Sequence, residues 1–82
     1  MRNSLRRDSP AYERAEVGTV WRHRSSGHLY TVVGICQLEA TWRPAVLYVW
    51  LNNPDAVQPE GPIARDREEF LDGRFEPFPY ID

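Results

Sequence analysis

His23 and His28 stand on either side of Ser25-Ser26-Gly27, and Cys36 follows a short way downstream. These residue types build nucleophilic and metal centres, so their spacing is the first thing to test. A hydrolytic triad needs Ser or Cys beside a His that a carboxylate orients. Here the serines are sequence neighbours of His28 on a turn, and no nucleophile-elbow glycine pattern surrounds them. The spacing of the two His and the single Cys matches no zinc finger or ribbon, and one Cys is too few for a closed structural site. Glu68 and Glu69 are adjacent, and neighbours on a helix point in different directions, so they read as a solvated face and not as an acid–base pair. The five glycines are scattered and form no phosphate-cradling loop. The pattern predicts no enzyme, no metal site and no cofactor.

What remains is aromatic and rich in Arg. Trp21, Arg22, His23 and Arg24 share one predicted strand, Tyr48 and Trp50 another, and Arg65 lies beyond. Such a face can stack nucleotides or single-stranded nucleic acid. It can equally hold a protein, because Trp, Tyr and Arg dominate interface hot spots. Strand alternation puts Tyr48 and Trp50 on one face and Leu47, Val49 and Leu51 on the other. In a small fold the aliphatic face is the expected core. That leaves Tyr48 and Trp50 for a ligand, for the N-terminal arm or long loop, or for a second copy of the chain in a homo-oligomer. A competing reading makes Trp21 and Trp50 simply core.

The elements that must position these residues are short strands. With 82 residues, 41% hydrophobic and 27% charged, the chain has room for one domain, whose core must be compact and aromatic-rich. Strands are predicted at residues 17–24, 28–38 and 45–51, with Gly34 marking a bulge or sharp bend. The third is apolar on both faces. Residues 52–62 read as an irregular loop, and residues 63–65 as a short strand. Asp66 to Gly73 has the pattern of one or two helical turns. Asp66 stands as the cap, Gly73 as a left-handed stop, and Phe70 and Leu71 as a plug for the core. Residues 74–78 return as an edge strand limited by Pro77 and Pro79. The expected fold is mainly β: a small five-stranded barrel or a strongly bent antiparallel sheet with one short helix. Residues 1–16 are expected as a flexible arm, whose end Tyr12 could tie down, and residues 17–82 as the domain.

Charge divides unevenly. Residues 1–24 carry six Arg against three acids, whereas the rest carries four Arg against nine, for a net −2. Every basic residue is Arg, and the acidic total lacks the footprint of a nonspecific nucleic-acid binder. The longest apolar run, Ala45 to Leu51, is far short of the roughly 20 residues of a membrane span, and no signal-peptide core follows Arg2, Arg6 and Arg7. One cysteine allows no internal disulfide, so a reducing, cytoplasmic setting is expected.

From Gly18 onward, Trp21-Arg22-His23, then Tyr30-Thr31-Val32-Val33-Gly34, then Val46-Leu47-Tyr48 follow in order, and Ile63-Ala64-Arg65-Asp66 with Phe70 closes the series. This order resembles a family of small bacterial and phage proteins of unknown function. That family runs through an aromatic-Arg-His step, a Tyr-x-Val-x-Gly strand and a Trp-x-Arg-Pro-x-x-x-Phe segment. Ile63 stands where the family favours Trp, and Asp66 where it favours Pro. The resemblance spans roughly residues 17–78 and implies an SH3-like barrel and an accessory role for a phage or prophage protein; it brings no catalytic residues. The expected function is therefore a non-catalytic module that binds and inhibits a host defence protein. The alternative is a binder of nucleotides or single-stranded nucleic acid, including one that sequesters a signalling nucleotide.

Overall fold

A computed structural model describes residues 10–51 and 61–78. Five antiparallel strands form one sheet: β1 (Val20–His23), β2 (Leu29–Gln37), β3 (Pro44–Trp50), β4 (Ile63–Asp66) and β5 (Phe75–Pro77), with α1 (Arg67–Phe70) between the last two. Their order across the sheet is β4-β3-β2-β1-β5. The two edge strands do not pair, so of the two expected forms the strongly bent sheet is the one found, and no barrel closes. Each predicted strand lies within two or three residues of its observed position. The loop expected at residues 52–62 lies almost wholly outside the described residues.

The bend has a local origin. Register between β2 and β3 shifts between Val32 and Gly34, so an extra residue enters β2 where the sequence predicts a bulge. Glycine also suits the close packing there: an added Cβ would sit 3.1 Å from the Leu47 Cδ1, so the Leu47 side chain would have to shift. Sheet continuity then lets α1 fold back over β3 and β4. Asp66 caps it, its Oδ1 accepting the Glu68 amide at 2.8 Å and the Glu69 amide at 3.3 Å. Gly73, with φ of 110°, ends the turn as expected of a left-handed stop.

The core is mainly aromatic. Phe70 enters it from α1 and stacks on Phe75 at 4.2 Å between ring centres, and Trp21 meets Phe70 edge-on at 5.1 Å. Tyr48, Val46 and Val32 complete the centre, with Tyr30, Ile63 and Leu71 packed against it. Two expectations change here. Tyr48 is only 3% exposed and sits in the core with Val46, whereas Leu47 and Val49 are half-buried on the other face of β3. A sheet this small has few inward positions, and aromatic rings fill that space better than aliphatic side chains. The folded body also begins before Val17. Pro10–Glu13 forms a 3-10 turn, Tyr12 and Ala15 are buried, and Tyr12 does tie this segment to the core. The earlier part of the predicted arm lies outside the described residues.

Candidate binding surface

Trp21 and Arg22 are consecutive on β1 and therefore face opposite sides of the sheet. Trp21 is 3% exposed, and its indole N–H donates to the Thr19 hydroxyl at 2.8 Å. That corrects its expected place on a binding surface: the ring is core, held between Tyr12 and Phe70. Arg22 projects on the other side, where Nε donates to Glu76 Oε2 at 2.6 Å, and Arg24 lies 3.7 Å from the same carboxylate. Tyr48, by its burial, likewise leaves the expected surface, although its hydroxyl still accepts from Arg65 Nε at 3.4 Å.

A smaller version of the predicted aromatic and Arg cluster does form on the concave side. Trp50 and Tyr30 are directly opposite across β2 and β3, and the Trp50 indole N–H donates to the Tyr30 hydroxyl at 3.0 Å. Tyr30 meets Tyr48 and Phe75 edge-on, and Arg65 lies over the Phe75 ring at 5.9 Å. His23 touches Phe75 edge-on at 5.0 Å. Trp50, Arg65, His23 and Tyr30 thus form a half-buried rim around the buried Tyr48 and Phe75. Its cations are compensated. Arg65 pairs with Glu69 at 3.4 Å and Arg74 with Asp72 at 2.8 Å. Asp72 is held below the usual carboxylate range, first by the hydrogen bond from Arg74.

Ser25 and Ser26 both place their hydroxyls on His23 Nδ1, at 3.1 and 3.2 Å, and Gly27 N–H donates to the His23 carbonyl at 2.7 Å. Both serines crowd one ring nitrogen, which locks the turn. Among the described residues no group of three or more His, Cys, Asp or Glu could hold a metal ion, and no helix is long and apolar enough to cross a membrane.

A residue that the sequence reading passed over stands out most. Trp42, in the turn between β2 and β3, is 68% exposed and has φ of 58°. The left-handed region suits Gly or Asn, and a bulky side chain there is strained by about 1 kcal/mol or more. Trp42 N–H donates to the Leu38 carbonyl at 2.6 Å, and the Gln37 side chain donates to the Trp42 carbonyl at 3.4 Å. Beside it, Arg43 forks onto Asp66 (Nε–Oδ2 2.5 Å, Nη2–Oδ1 3.3 Å) and reaches Glu68 at 2.7 Å. Planar bidentate pairing fixes a guanidinium firmly, so the hairpin tip is clamped to the start of α1 and Trp42 is displayed on a braced support. A Trp in a six-residue turn, where small polar residues are usual, was the available signal in the sequence.

No protein-family model, curated protein or solved structure matches this chain.

Proposed function

We propose that this chain is a non-catalytic binding module that engages a protein partner through the β2–β3 hairpin, with Trp42 as the anchor. The observation that carries the proposal is the combination of strain and exposure at Trp42. Backbone strain persists where the surrounding structure holds it and it clusters at functional sites, and an exposed Trp on a braced loop has the form of an interface hot spot. The family resemblance adds the setting: a phage or prophage accessory protein that binds and inhibits a host defence protein. Cytoplasmic action in a bacterial cell follows from that setting.

Charge favours a protein over a nucleotide. Arg43, Arg65, Arg74 and Arg22 each face a carboxylate, so around the hairpin and the aromatic cluster little positive charge is left uncompensated for phosphates. The concave cluster still supports a second reading, since Trp50, Tyr30 and Arg65 are half-buried side by side and the Arg65–Glu69 pair is long. An incoming nucleotide would have to displace Glu69.

The test is capture from bacterial lysate with immobilised wild-type chain and with Trp42→Gly. Stoichiometric capture lost in the variant supports the proposal. Equal capture by both, or none by either, overturns it.

A further inference from the structure

β2 is longer than the strand beside it. On the β1 side its pairing runs from Leu29 to Thr31, and the last bonds are Val32 N–H to the Thr19 carbonyl (3.0 Å) and Gly18 N–H to the Val32 carbonyl (2.9 Å). From Val33 to Gln37 the strand pairs with β3 only, so its other side is a free edge among the described residues.

The groups that face this edge follow from the ladder. In an antiparallel pair, hydrogen-bonded and non-hydrogen-bonded residue pairs alternate. Leu38 N–H donates to the Arg43 carbonyl at 2.9 Å, which makes that pair hydrogen-bonded. Stepping by two, Cys36 with Ala45 and Gly34 with Leu47 are hydrogen-bonded, and Ile35 with Val46 and Gln37 with Pro44 are not. Pro44, with no N–H, sits where none is needed. The N–H and C=O of Ile35 and Gln37 therefore point outward along the free edge.

Among the described residues the only feature that blunts this edge is the bulge at Val33, which lies outside the Ile35–Gln37 part. Monomers blunt exposed edges with charges, Pro or covering loops. From Thr31 to Leu38 there is no charged residue and no Pro, and Val33 and Ile35 are 45% and 44% exposed. A neutral edge brings no like charges together when it meets itself.

We propose that two copies of this chain pair antiparallel through the free half of β2, about a twofold axis at Cys36. That axis sets Ile35 of each copy opposite Gln37 of the other, and each such pair exchanges both of its hydrogen bonds, so every outward group in the regular part of the edge is satisfied. An axis at Ile35 would instead pair Gln37 with Val33, where the bulge breaks the register. A twofold at Cys36 places the two Cys36 residues opposite in a non-hydrogen-bonded pair, with Cα atoms about 4.5 Å apart. That separation is within disulfide range. The inference is independent of the hairpin-tip reading, since it uses the backbone of β2 and not Trp42.

The experiment combines mass and cross-linking on the full chain. Light scattering across a concentration series should give twice the single-chain mass at high concentration under reducing conditions. Gln37→Pro removes one outward N–H and the long side-chain bond to the Trp42 carbonyl but leaves the β3 ladder intact; it should return the chain to monomer with an unchanged circular dichroism spectrum. Diamide, which takes two electrons and two protons from a pair of thiols, should give a covalent dimer with the wild type and far less with Gln37→Pro. Cys36→Ser should lose the covalent dimer and keep the doubled mass. A monomer persisting to about 1 mM, the weak end of specific association, overturns the proposal. So does a dimer that survives Gln37→Pro.

Discussion

The Tyr12 hydroxyl accepts the Val20 amide N–H at 3.0 Å inside the fold, while the Val20 carbonyl accepts from Phe78 at 3.0 Å. A side chain from the N-terminal segment thus completes a strand ladder that β5 leaves unfinished. Removing only the oxygen, in Tyr12→Phe, strands a buried donor and should cost about 1–3 kcal/mol. Denaturant melts of the two proteins check this. A cost near zero would mean that water replaces the phenol.

Phe70 is fully buried from a helix of one turn and stacks on Phe75. Phe70→Ala should cost about 3–5 kcal/mol, much of the stability of a small domain. Thermal unfolding by circular dichroism should show a large drop in midpoint or loss of the transition. Trp50→Phe, which loses a half-buried indole N–H, should cost far less.

Trp42→Gly should stabilise the free chain by about 1 kcal/mol, because glycine adopts φ of 58° without steric strain. The same substitution is expected to abolish partner capture. Higher stability joined to lost binding is the signature sought, and a destabilised variant would show that the Trp42 ring supports the hairpin itself.

Acid should loosen the clamp between the hairpin and α1. The hydrogen bond from Arg43 is the main cause holding Asp66 below its usual carboxylate range, as Arg74 does for Asp72. The folded state therefore takes up protons at lower pH than the unfolded chain. The stability these carboxylates contribute is present above about pH 4 and is lost as pH falls through their depressed values. Melts at falling pH should show this decline, and Arg43→Gln should flatten it.

If nucleotides bind the concave cluster, Trp50 emission should fall on titration, and Glu69→Gln should strengthen the response by freeing Arg65. Trp42→Phe removes the exposed emitter and leaves Trp50 and Trp21. An unchanged signal in that background at high nucleotide concentration removes the nucleotide reading.

Much of this architecture was written locally in the chain. Alternating β-branched and aromatic runs, the Gly34 bulge, the Asp66 cap and the Gly73 stop depend on a residue and its near neighbours, so five strands, one short helix and their order along the chain were legible before folding was considered. The sequence also named Trp50 and Arg65, which do share the concave cluster. The tertiary structure alone decided which face of β3 is inside, because that depends on how a bent sheet and α1 enclose a small volume that Tyr48 and Trp21 fill. It alone sent Arg22 and Arg24 to Glu76, brought Arg43 to Asp66 and, among the described residues, left one side of the second half of β2 unpaired. Those outcomes join residues far apart in the chain, and local propensity carries no information about which distant partner a side chain or strand edge will meet.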